Sequence, residues 1–261
     1  MRSSNILASV FLSLVSIVIP LFLWRGLFPS TDWAIVAIAP LAIFLFFGTL
    51  NHYFILNRAR LRVIVRKDSK YSNILTGRLR AILTSAIFTT VAIPVLAWQS
   101  LTASIWEIAG FCALILVASY ISLRIQDILD AHLRQPYSGA MGLTLGAYLA
   151  ALMFIPLLAW ISWNFVEYRG EFRTADFSKA VTLGMQELPA RRGWISEVLA
   201  PLYAIEAGKL WLVVQLGSSR WATILFSLDT TLVGFILART AAIITNFAQV
   251  KEKGGRFDHP Q

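Results

Sequence analysis

Charge is scarce in this chain. Only 14% of its 261 residues are Asp, Glu, Lys or Arg, whereas soluble domains carry about 25%. Cysteine and histidine are scarcer still, with one Cys and three His. A single Cys excludes a disulfide scaffold. His52, His132 and His259 are scattered, with no H-E-x-x-H and no second His one helical turn away. A structural zinc site or a bis-His haem within the chain is therefore not expected, and no metal or cofactor is assigned. No Walker A, G-x-G-x-x-G or G-x-S-x-G occurs, so hydrolysis of ATP by a P-loop is excluded. No catalytic residue is assigned.

Apolar side chains are what the sequence has in excess. Hydrophobic residues make up 57% of the chain, with nine Trp and seventeen Phe. This balance excludes a disordered chain. It predicts an all-α polytopic membrane protein built as a single integral membrane domain. A span needs about 20 mostly apolar residues, because every backbone polar group must bond internally in hydrocarbon. Runs at 6–24, 33–56, 81–98, 105–123 and 139–163 qualify readily. A sixth, 221–246, qualifies despite Asp229 and Arg239. The first run reads as an uncleaved span, since its basic flank holds only Arg2 and no A-x-A site follows.

Basic residues set the orientation. In a six-span arrangement one side collects 15 Lys/Arg against 5 Asp/Glu, and the other side balances at 8 of each. The richest stretch is the loop 57–80, with Arg58, Arg60, Arg62, Arg66 and Lys67 at its start. This side is expected to be cytoplasmic, with both termini, in a membrane of the bacterial inner-membrane type. The loop has three readings: it enforces topology, it holds anionic lipid headgroups, or it docks a cytoplasmic partner. The net charge of +9 then reflects sidedness, and nucleic-acid binding is not expected.

The odd spans share an outer motif: Ile19-Pro20…Trp24, Ile93-Pro94…Trp98 and Ile155-Pro156…Trp160. The even spans begin near Trp33, Trp106 and Trp221 and end on an aromatic, an Ile and then Arg58, Arg124 or Arg239. Convergence on interfacial Trp and flanking Arg is one reading. Three helical hairpins descended from one is the other. Both place Arg239 on the basic side, which requires 194–216 not to cross.

Residues 164–220 then form one extracytoplasmic insertion. Phe177, Ala180, Val181, Gly184 and Leu188 fall on one helical face, so 176–188 is expected to be an amphipathic helix lying on the leaflet or packed over the spans. The stretch 194–216 is apolar but carries Glu197, Glu206 and Lys209. It is expected to be a re-entrant segment with Glu206-Ala207-Gly208-Lys209 near its tip; a seventh span is the rival.

Three groups of side chains are candidates for function. Asp229, in the polar run Ser227-Leu228-Asp229-Thr230-Thr231, is an acid within a span and so a candidate for an ion or substrate pathway, with Lys209 and Glu206 as neighbours by topology. Pairing at the outer interface is the plainer reading. Gly142 and Gly146, and Gly234 and Ala238, are spaced by four and mark close helix packing, within the chain or at a seam with another subunit. Asp127, Asp130 and His132 follow the fourth span and read as helix-surface charges.

The expected function is a non-catalytic membrane subunit of a transporter or another multisubunit membrane complex. Its expected partners are the bilayer, anionic lipids at the cytoplasmic face, and a protein subunit or a second copy. The alternatives are a self-contained channel or proton-coupled carrier using Asp229, and an intramembrane lipid-modifying enzyme. The topology is testable. A Cys placed at position 178 should react with an impermeant thiol reagent in intact cells and one at position 68 should not; the opposite labelling would overturn the arrangement.

Overall fold

A computed structural model describes residues 3–64, 77–133, 137–165, 170–188, 193–217 and 220–254. Arg66 and Lys67 lie outside the described residues, as do the side chains of Arg58, Arg60, Arg62 and Asp229. The described chain is helical throughout: α1 (Ser3–Leu27), α2 (Ile35–Ile64), α3 (Arg78–Thr102), α4 (Ile105–Asp130), α5 (Tyr137–Phe165), α6 (Phe177–Met185), α7 (Trp194–Leu216) and α8 (Arg220–Gly254). The protein is an all-α polytopic membrane protein, with six helices long and apolar enough to cross a membrane: α1 to α5 and α8.

α8 is the axis of the bundle. Of its stretch Thr230–Phe247, 67% is buried, against 28–39% for the other five spans. Ala238, Thr240, Ala241 and Ala242 are fully buried. Lipid gives helices no hydrophobic reason to associate, so close approach of small residues must supply dispersion contact instead. α8 meets α2 where Gly48 faces Ile243, and meets α5 and α4 where Gly234 faces Leu158 and Leu114. On α1, Ser13 Oγ donates to the Ala241 carbonyl at 3.1 Å.

The tightest seam joins α4 to α5. A Cβ on Gly142 would lie 2.9 Å from the Cα of Gln126. A Cβ on Gly146 would overlap Ser122, including its backbone. The spacing of four that marks these glycines in sequence therefore serves packing within the chain. α4 itself starts sharply. Ser104 and Glu107 form a capping box, with Ser104 N–H donating to Glu107 at 2.8 Å and Glu107 N–H to Ser104 Oγ at 3.3 Å. The second oxygen of Glu107 accepts from Ser162 Oγ of α5 at 2.7 Å, so the acid ties two helix ends together.

Two readings meet the structure differently. First, of the three hairpins that one of the two open readings names, two pack as pairs and one does not. α1 packs with α2 and α5 with α8, but α3 and α4 scarcely touch although only Ala103 and Ser104 join them. α1 lies against both, through Trp24 Nε1 to the Ala97 carbonyl at 3.1 Å on α3 and through Ile6 and Val10 with Leu123 on α4. Second, 194–216 is not re-entrant. It is one unbroken helix, α7. Glu206 and Lys209 stand one turn apart and pair at 2.6 Å, so they stabilise a continuous helix and mark no tip. Gly208 sits where Phe177 of α6 approaches, and Gly217, with φ +58, ends the helix.

α6 is shorter than the expected 176–188 and packs on α7: Ala180 and Gly184 are buried, and Gly184 abuts Ala207. Trp211 Nε1 to the Ala175 carbonyl, 2.8 Å, and Gln215 Nε2 to the Phe172 carbonyl, 3.1 Å, bind the preceding turn to the same helix. The α6–α7 pair thus has a small core of its own around Phe172, Ala180 and Ala207. Its other side joins the main core through Ile195, Leu199 and Tyr203. α7 begins beside the α1–α2 connection, where Gly193 lies against the Asp32 carboxylate. Burial pushes the Tyr203 hydroxyl up to about 12, with Glu187 adding to the shift.

The packing predicts opposite effects for two glycines. Gly146→Ala should destabilise by about 1–3 kcal/mol, because the added methyl meets Ser122 backbone. Gly26→Ala, on α1 with nothing within 4 Å, should be neutral or stabilise by up to about 1 kcal/mol. Thermal or SDS-induced unfolding in detergent checks both; equal effects would show that the α4–α5 seam is not tight.

Candidate functional site

A cluster of polar groups within the bundle is built by α2, α3, α5 and α8 around Arg239. In hydrocarbon a guanidinium must be hydrated, paired or enclosed. Arg239 Nη2 donates to the Tyr53 hydroxyl at 2.6 Å. Its guanidinium carbon lies 5.2 Å from the centre of the Tyr53 ring and 4.9 Å from that of Phe88. Two ring faces therefore give the cation the negative end of their quadrupoles. Among the described residues no carboxylate pairs with it, and its Nε–H has no hydrogen-bond partner.

His52 adjoins this group. It is 3% exposed. The hydroxyl of Thr144 on α5 donates to the Ala140 carbonyl at 3.0 Å and lies 3.4 Å from His52 Nε2. Nδ1, on the other side of the ring, is buried and has no hydrogen-bond partner. Thr49, one turn earlier on α2, is also fully buried with an unpartnered hydroxyl. The cluster thus combines one cation held by aromatic rings with a buried imidazole whose second nitrogen is unused.

The sequence candidates fall elsewhere. Asp229 is carried by α8 ten residues, roughly 15 Å, before Arg239, and its side chain lies outside the described residues. Lys209, expected as its nearest counter-charge, pairs with Glu206 on its own helix. Gly142 and Gly146 face α4; Gly234 and Ala238 face the interior. Arg58, Arg60 and Arg62 belong to the last part of α2, where only the backbone is described. Asp127 and Asp130 lie in the last turn of α4. Among the described residues no three His, Cys, Asp or Glu side chains gather into a metal-binding group. Sequence reasoning missed His52, Tyr53 and Thr144. One signal was present: Asn51-His52-Tyr53 interrupts an apolar span.

Comparison with protein-family models, with curated proteins and with solved structures finds no match to this chain.

The Arg239 cluster yields a prediction. Tyr53→Phe keeps the ring and removes the acceptor, and should destabilise by about 1.5–3 kcal/mol, the range for a hydrogen bond to a charged group. Arg239→Met should also destabilise, and the double variant should cost less than the sum. Additive effects in a detergent unfolding assay would show that the two side chains do not act together.

Proposed function

We propose that this protein is a non-catalytic integral membrane subunit of a transporter or another multisubunit membrane complex. The observation that carries the reading is an apolar row on α7. Trp194, Val198 and Ile205 are 54%, 57% and 66% exposed. Separations of four and seven place them on one helical face, and Leu212 continues it. The other side of α7 is buried against α6 and the bundle through Leu199, Tyr203 and Ala207. α7 carries Glu197, Glu206 and Lys209 and is not among the six spanning candidates. Large apolar side chains in a row on such a helix mark a surface that another protein covers. The centre of the bundle supports the same reading, since α8 fills it with fully buried Ala238, Ala241 and Ala242. In this arrangement α6 and α7 face outward from the cell, the basic loop and both termini face the cytoplasm, and the membrane is the bacterial inner membrane.

One substitution tests this. The wild-type chain, 29.1 kDa, purified in mild detergent should run as a larger complex by light scattering. Ile205→Asp should weaken that association by about 2 kcal/mol or more, as at an interface hot spot, with thermal unfolding unchanged. A wild-type protein that is monomeric, and that Ile205→Asp alters in neither mass nor stability, overturns the reading.

A proton-coupled carrier using Asp229 is the second reading. It is favoured by the polar cluster that Arg239 assembles further along the same helix, with an unpartnered His52 nitrogen. In proteoliposomes, abolition of proton flux by Asp229→Asn without loss of assembly would establish it. Equal flux in both proteins would remove it.

A further inference from the structure

The divergence of α3 and α4 leaves a wedge that the bundle does not fill. A partly open cavity of about 70 Å³ lies between α1, α3, α4 and α8. Its polarity runs in one direction. Arg25, Gln99 and Ser100 line the end near the α3–α4 connection; Val18, Ile115 and Leu237 line the other. From Arg25 to Val18 on α1, and from Ala103, just past α3, to Leu96 on it, the lining spans seven residue steps, roughly 10 Å of depth. Phe22, 68% exposed, lines the cavity and stands at the lateral opening.

We propose that this wedge binds one acyl chain of a phospholipid with an anionic headgroup, drawn from the leaflet on the side of α6 and α7. Three observations lead there. The inner walls are apolar, so water is a poor occupant, while empty space would forfeit dispersion contact along four helices. Phe22, exposed on a helix long and apolar enough to cross a membrane, belongs to the lining, so acyl chains have access to it. The polar end carries a matching charge: Arg25 donates from Nη1 to the Ala103 carbonyl at 3.1 Å, and no carboxylate among the described residues pairs with it. A guanidinium has five N–H donors, so Arg25 keeps donors beyond this bond for a headgroup phosphate, with the Gln99 amide in the same lining. The gradient from guanidinium to hydrocarbon is that of the lipid itself. The inference is independent of the proposed subunit role and of which face is cytoplasmic.

Cys112, the only cysteine in the chain, lines the wedge and provides the test. The full-length protein is reconstituted with phosphatidylglycerol carrying a diazirine on one acyl chain, illuminated and digested. Adducts should concentrate on 18–25, 96–103 and 108–115. Cys112→Trp, which fills the cavity, should lower them severalfold. If that variant fails to fold, alkylating Cys112 of the folded wild type with N-ethylmaleimide should do the same. Arg25→Gln should lower labelling by phosphatidylglycerol about fivefold, the effect of one basic residue on an anionic lipid, and leave labelling by the phosphatidylcholine probe unchanged. Adducts spread evenly over the lipid-facing helices, or undiminished by a filled wedge, overturn the proposal. Loss of adducts on filling with no effect of Arg25→Gln overturns the headgroup assignment.

Discussion

The structure depends on how closely backbones can approach α8. A helix at the centre of a membrane bundle touches neighbours on all sides, and each neighbour comes near only where side chains are short. α8 meets that demand with Gly234, Ala238, Ala241 and Ala242, and its neighbours answer with Gly48 on α2 and Ser13 on α1. The α4–α5 seam repeats the solution with Gly142 and Gly146 against Ser122 and Gln126. With water absent from both sides of the contact, fit replaces the hydrophobic effect as the source of cohesion.

Some polar side chains of this interior are satisfied locally, while the hydroxyls of Thr49, Ser119, Ser122, Ser138 and Ser196 are buried without a hydrogen-bond partner. Thr240, Thr245, Ser85 and Thr144 each donate to the carbonyl four residues earlier in their own helix. Such residues fill small gaps without requiring a partner across the interface. Arg239 cannot do this, since its donors are too many and its charge too costly to leave bare. It takes Tyr53 and the ring of Phe88 instead, and so links α8 to α2 and α3. The one full charge described within the buried part of α8 thus contributes to specifying which helices surround it.

Much of this was legible in sequence, and the limits have physical causes. The spans follow from run length. Gly142 and Gly146 announce a close contact, but only the folded chain shows that its other side is Ser122 and Gln126, because a spacing of four names a face and no partner. His52 was hidden for the same reason, since Thr144 lies 92 positions away. α7 was misread by giving Glu206 and Lys209 the meaning of polarity at depth, when their separation of three already describes a helical ion pair. The wedge beside α3 had no sequence signal: a two-residue connection normally brings helices together, and here α1 lies against both instead.

The helix that organises the bundle is also the last in chain order of the eight α-helices among the described residues. A chain emerging N-terminal first therefore inserts α1 to α5 before their common contact surface exists. Until α8 arrives, Ser13 lacks its acceptor, Gly48 faces lipid and Tyr53 has no cation to bind. The α4–α5 seam, whose helices follow one another directly, is complete by then. Assembly in the membrane consequently has two stages, an early helix pair and a late closure around the final span. The intermediate between them exposes small and polar faces that any neighbouring helix with short side chains could occupy.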